Sequence, residues 1–115
     1  DTFVPTVGQR GNAIIDARGA SPAASAANAV VDTVRDLTTP TEGDDFHSVC
    51  VASSGQYGTP EGIITSLPIQ VDAAGNWQVV EGITLTDYAK EKIQATNDEL
   101  LEERTLAFGQ LGLSV

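Results

Sequence analysis

At 115 residues and 12.0 kDa, with 41% hydrophobic and 19% charged residues, the chain is sufficient for one core and too short for two domains. Sixteen acidic against six basic residues give a net charge of -10, which repels phosphate backbones and anionic surfaces and argues against nucleic acid and membrane as partners. The longest apolar run, Val49 to Ala52, is four residues, far short of the roughly 20 that cross a bilayer. The lone Cys50 excludes an intrachain disulfide and leans towards a reducing compartment. The N-terminus has no basic stretch followed by an apolar one, so no signal peptide is read and a cytoplasmic protein is expected. The absence of Met points to a processed chain or a piece of a longer one.

Thr6 to Ala17 places Val7, Ile14 and Ile15 on one side and predicts a short amphipathic helix closed by Gly19. Ser21 is read as the N-cap of a second helix, with Pro22 at its first position and the run Ala23 to Leu37 behind it. Ala23, Ala24, Ala26, Ala27 and Ala29 leave the first half of that helix nearly bare, open to another backbone or a ligand. Val30, Val31, Val34 and Leu37 are expected to pack conventionally. Thr38 to Asp45 has loop composition.

Phe46 to Ser53 then alternates, with His47, Val49 and Val51 on one face and Phe46, Ser48, Cys50 and Ala52 on the other. A glycine-rich connection from Ser54 to Gly62 leads to a second strand whose Ile63, Thr65, Leu67, Ile69 and Val71 share a face. Pro68 lacks a ladder donor and is expected at an edge or a bulge. A turn at Asp72 to Asn76 joins this strand to a third, Trp77 to Val80, as a hairpin. From Thr86 to about Phe108 a long amphipathic helix is predicted. Ala89, Ile93, Leu100, Ala107 and Leu111 form its stripe, with Glu91, Asp98, Glu102 and Glu103 away from it. This order is that of an α+β fold, an antiparallel sheet with packed helices.

The residues offer little chemistry of their own. His47 is the only histidine, but it falls mid-strand with no motif that pairs it with an orienting carboxylate. One His and one Cys do not make a zinc site. The acidic pairs Asp44-Asp45, Asp98-Glu99 and Glu102-Glu103 read as solvated charge. Gly55, Gly58 and Gly62 match no phosphate-loop pattern, and Ser21, Ser25 and Ser54 have no base beside them. Gly11 is the oddity, because glycine inside a helix costs about 1 kcal/mol relative to alanine. Either two helices pack tightly there or something else approaches closely.

Gln9-Arg10-Gly11, Ala13-Ile14-Ile15, Ala17-Arg18-Gly19-Ala20-Ser21, Ser25-Ala26-Ala27-Asn28-Ala29 and Val34-Arg35-Asp36 resemble the malate dehydrogenases of the lactate/malate dehydrogenase family. The likeness continues through Ser54-Gly55, Tyr57-Gly58, Pro60-Glu61-Gly62, Trp77, Glu81-Gly82, Glu91-Lys92-Ile93 and Glu99-Leu100, and so covers essentially the whole chain.

The resemblance implies that residues 1–115 are the C-terminal substrate domain of an NAD-dependent enzyme that interconverts malate and oxaloacetate in the tricarboxylic acid cycle. It further implies an upstream Rossmann domain holding NAD, a catalytic His held by an Asp, and arginines that clamp the dicarboxylate, none of them in this sequence. Gly11 and Ser21 match a glycine and a serine that line the substrate and nicotinamide pocket in the resembling enzymes, and Ser25 is a weaker match. Gly8, Asn12 and Pro22 depart from the pattern. The implied partners are the Rossmann domain and identical subunits in a homodimer or homotetramer. A lactate or other 2-hydroxyacid dehydrogenase domain is the near alternative. A stand-alone acidic interaction module without catalysis is the alternative of another class.

Overall fold

The computed structural model describes residues 2–113, which fall into two units, Asp1–Thr38 and Thr39–Val115. The first unit is helical, with α1 (Phe3–Gly8), α2 (Arg10–Arg18) and α3 (Ala24–Thr38). Pro5 stands in the first turn of α1, where its missing N–H costs no helical bond. The single helix expected from Thr6 to Ala17 is thus two helices that begin earlier and meet at Gln9. There the backbone opens to φ -93° and ψ 0°, yet the Gln9 N–H still reaches Pro5 and its carbonyl still accepts from Ala13, both at 3.0 Å. Gly19 closes α2 as expected. Its φ of 73° is a left-handed conformation that costs glycine no side-chain clash, and its N–H caps the Ile15 carbonyl at 2.7 Å.

Two expectations for the next helix need correction. Its first backbone bond runs from the Ala27 N–H to the Ala23 carbonyl, so the cap position belongs to Ala23, and Ser21 and Pro22 lie in the connection before it. Val30, Val31 and Val34 do not enter a core either, being 64%, 61% and 55% exposed. Local periodicity places these valines along one side of α3, but burial needs a partner surface, which their own helical unit does not provide.

The second unit is built on a three-stranded antiparallel sheet in the order β1 (His47–Ala52), β2 (Ile64–Val71), β3 (Trp77–Val79). Register pairs Val49 with Leu67 and His47 with Ile69, which gathers the buried Val49, Val51, Leu67, Ile69 and Val71 on one face, next to Ile63 just ahead of β2. The predicted alternation holds on both strands.

Pro68 is not at an edge: it sits in β2, the central strand, opposite Ser48. It is tolerated because its nitrogen faces β3, whose assigned pairing ends one residue earlier at Ile69 and Val79. The Val80 N–H still donates to the Pro68 carbonyl at 2.8 Å. In an unbroken ladder the Val80 carbonyl would accept the return bond from residue 68, which a proline cannot donate. The Tyr57 hydroxyl takes that place and donates to the Val80 carbonyl at 2.5 Å. Tyr57 holds a left-handed φ of 55° inside the short 3-10 turn Gln56–Gly58, an uncommon conformation for a residue with a side chain. Tyr57→Phe is therefore expected to leave that carbonyl unpaired and to lower the unfolding free energy by about 1 kcal/mol in urea denaturation. An unchanged midpoint would show that water replaces the hydroxyl without cost.

The hairpin turn is organised by Asp72, whose carboxylate accepts from the N–H groups of Asn76 at 2.9 Å and Ala74 at 2.8 Å and from the Asn76 amide at 3.1 Å. The Asn76 backbone bond, followed by its side chain, holds this carboxyl below the usual carboxylate range. The resulting stabilisation is present above the ordinary pKa near 3.8 and is lost as pH falls through the depressed folded value.

α4 (Asp87–Leu111) starts where the sequence places it, with the Thr86 hydroxyl accepting from the Ala89 N–H at 3.2 Å. Its inward stripe differs from the predicted one. Ala89, Ile93 and Leu100 are half-buried, but the stripe runs on through buried Asn97 and half-buried Leu101, Arg104 and Phe108, while Ala107 and Leu111 are exposed. Helices and an antiparallel sheet make the fold α+β, as expected. Among the described residues no helix is long and apolar enough to cross a membrane.

Candidate functional site

The two positions singled out by resemblance lie at the two ends of α2. Gly11 is the second residue of the helix, and Ser21 follows its glycine cap by two residues. The seven residue steps from Gly11 to Arg18 rise about 10 Å at roughly 1.5 Å each. Ser21 lies beyond the turn at Gly19, on the connection tied back to the C-terminal end of α2.

Gly11 is half-buried, its φ is not left-handed, and a Cβ built on it would meet no heavy atom within 4 Å. Tight packing within its own unit is thus not why the position lacks a side chain. The helix has room for one and leaves the space empty. At the other end, the Arg18 guanidinium donates from Nη1 to the Ser21 carbonyl at 3.1 Å, which ties the connection back onto α2 and leaves the Ser21 residue exposed. Arg18 was not among the predicted site residues. Its signal in the sequence is a long basic side chain three positions before Ser21 across a helix-ending glycine. Ser25 is exposed in the first turn of α3.

Charge is divided unevenly along the chain. Residues 1–38 hold three arginines and four aspartates, whereas residues 39–115 hold three bases and twelve acids. The unit that carries Gly11 and Ser21 is therefore close to neutral by itself. His47 is half-buried on β1, in the other unit. Among the described residues no group of three or more His, Cys, Asp or Glu is arranged to hold a metal ion. A cavity of about 300 Å³ opens beside β2 and α4, and neither Gly11 nor Ser21 lines it.

The chain has counterparts among known proteins. Residues 1–110 match the family model described as lactate/malate dehydrogenase, alpha/beta C-terminal domain. The chain is 49% identical over 111 residues to a malate dehydrogenase of Rubrobacter xylanophilus, covering 96% of this chain and 33% of that protein. It is 48% identical over 107 residues to a malate dehydrogenase of Rhodococcus jostii, covering 93% and 32%. Among solved structures it is similar to malate dehydrogenase from Naegleria fowleri, with a TM-score of 0.78 and 42% identity over 90% of this chain and 31% of that one. It is also similar to Trichomonas vaginalis lactate dehydrogenase in complex with NADH and oxamate, with a TM-score of 0.83 and 31% identity over 97% and 34%. The chain thus spans about a third of the length of the proteins it matches. With a family match across nearly all of its residues and the antiparallel sheet in place, it belongs to the lactate/malate dehydrogenase family, as a C-terminal domain of the alpha/beta type.

Proposed function

We propose that this chain is the substrate-side domain of an NAD-dependent malate dehydrogenase, which interconverts malate and oxaloacetate in the cytoplasm. The observation that carries this reading is the unbroken likeness to malate dehydrogenases at 49% identity over 96% of the chain. Bound NAD supplies the hydride acceptor, through its nicotinamide ring, for the hydrogen on C2 of malate. The chain's own contribution is a wall. The gap at Gly11 lets the substrate or the nicotinamide ring come close to the α2 backbone, and the exposed Ser21 hydroxyl can donate to or accept from a polar group of either. These roles fit the empty space around Gly11 and the tether from Arg18 to Ser21.

The base that takes the malate hydroxyl proton and the cations that neutralise the two carboxylates are assigned to an N-terminal Rossmann part of the same enzyme. Three arginines in the first unit, one of them paired to Asp32, do not surround a dianion. The exposed Val30, Val31 and Val34 of α3, with the alanine-rich turns before them, are assigned to contacts with that part or with an identical subunit of a homodimer or homotetramer.

The likeness in fold to a lactate dehydrogenase, at a TM-score of 0.83, keeps a 2-hydroxyacid dehydrogenase acting on a monocarboxylate as the second reading. Steady-state assays of the complete protein with NADH separate the two. A kcat/KM for oxaloacetate at least 100-fold above that for pyruvate is expected, because an extra carboxylate matched by a buried cation is worth about 3 kcal/mol or more. A preference for pyruvate overturns the malate assignment.

A further inference from the structure

A single side chain holds the connection between α2 and α3. Gly19, with φ 73°, turns the backbone at the end of α2, and regular backbone bonding resumes only where the Ala27 N–H donates to the Ala23 carbonyl. Among the described residues, the one hydrogen bond made to Ala20, Ser21 or Pro22 is that from Arg18 Nη1 to the Ser21 carbonyl, at 3.1 Å. Local chemistry narrows what remains to be fixed there. A residue before proline is confined to extended backbone, and the proline itself has a locked φ. The freedom left is a swing of the Ser21-Pro22 peptide unit as a whole, which the Arg18 guanidinium restrains through the carbonyl. Arg18 is well placed for this, in the last turn of α2, where the helix C-terminus favours a cation. Arg35 is taken up by Asp32 and Asp36, whereas Arg18 has no carboxylate partner among the described residues. Ser21 is exposed, and its hydroxyl makes no hydrogen bond to a described residue.

We propose that Arg18 is a positioning residue for the reaction: by holding the Ser21 carbonyl it fixes where the Ser21 hydroxyl is presented to the substrate or the nicotinamide. This deepens the reading above and rests on it, since it takes Ser21 to line the pocket. Arg18 acts through Ser21, with no contact of its own to the substrate and no share in binding its charge. A carbonyl acceptor needs a single donor, so the ammonium of a lysine at this position serves in part. A methionine keeps an unbranched stem but offers no donor, and so releases the connection.

The test is a double-mutant cycle in the complete protein, read as kcat/KM for oxaloacetate with NADH. Ser21→Ala removes one hydrogen bond to the ligand and is expected to lose about tenfold. Arg18→Met is expected to lose about tenfold as well, since an ångström of misplacement costs about 100-fold and a loosened connection forfeits part of that. The two together are expected to lose no more than Ser21→Ala alone, because Arg18 then has no hydroxyl left to position. Arg18→Lys is expected to recover most of the loss. Melting temperatures are expected to stay within about 2 °C of the parent, the bond being exposed. Losses that multiply overturn the proposal and give Arg18 a role apart from Ser21, such as attraction of the dianion. A melting temperature that falls by about 5 °C or more in Arg18→Met also overturns it, by making the tether a support of the fold. Full activity of Arg18→Met beside an impaired Ser21→Ala rejects this inference alone. Full activity of Ser21→Ala removes Ser21 from the pocket and rejects the reading on which the inference rests.

Discussion

The 115-residue chain on its own is expected to leave NADH and oxaloacetate unreacted, at a rate at least about 10⁴-fold below that of the complete enzyme. The physical argument starts from what hydride transfer needs. A base must lie within hydrogen-bond reach of the alcohol proton, and positioned proton transfer alone is worth about 10²–10⁴-fold. Holding substrate and cofactor in line contributes several further orders of magnitude. The chain's only histidine is on β1, in the other unit from Gly11 and Ser21. The unit that carries Gly11 and Ser21 holds three arginines against four aspartates, so it has no net positive charge to capture a dianion. The measurement is loss of NADH absorbance with the purified chain, its helix and sheet content checked by circular dichroism. Oxaloacetate-dependent turnover by the isolated chain would place the catalytic groups within these residues and overturn the division of labour proposed above.

Gly11→Ala and Gly11→Leu in the complete enzyme are expected to separate stability from activity. In this chain a Cβ at residue 11 meets nothing within 4 Å and the backbone is not left-handed. Alanine should therefore gain helix propensity, up to about 1 kcal/mol in a helix interior and less this close to the N-terminus of α2. The same space, in the functional reading, belongs to substrate or nicotinamide. A leucine there displaces the reacting groups by an ångström or more, a shift worth about 100-fold in rate. The expected pattern is an unchanged or raised melting temperature with a fall in kcat/KM that deepens from alanine to leucine. A leucine variant with full activity removes Gly11 from the pocket. A variant that loses activity and melting temperature together assigns the gap to packing against the rest of the enzyme.

Much of this was legible because it is local. Alternation with period two told the inward Val49, Val51, Leu67, Ile69 and Val71 from the outward Ser48, Cys50 and Ala52 without knowledge of what covers them. Helix ends were equally readable, since Gly19 and Thr86 act on the backbone within four residues of themselves. The proposed site rests on resemblance alone: a glycine without a neighbour and a serine in a loop have no pattern of their own.

The misreadings share one cause, dependence on partners distant in sequence. Pro68 was expected at an edge because a proline cannot complete a ladder; its place in the central strand rests on Tyr57, eleven positions earlier, satisfying the carbonyl of Val80. The stripe of α4 was drawn through Ala107 and Leu111 because hydrophobicity skips polar residues, while the helix turns Asn97 and Arg104 inward. Val30, Val31 and Val34 were assigned to a core from their spacing, yet spacing orients a side chain and does not cover it. The sequence by itself thus determined the strands, the hairpin, the helix ends, the acidic charge and the family likeness, all set by neighbours within a few residues or by residue identity. Only the tertiary structure decided which faces are covered, why a proline stands mid-sheet and which polar residues of α4 turn inward, since those depend on backbone and side chains that meet through space.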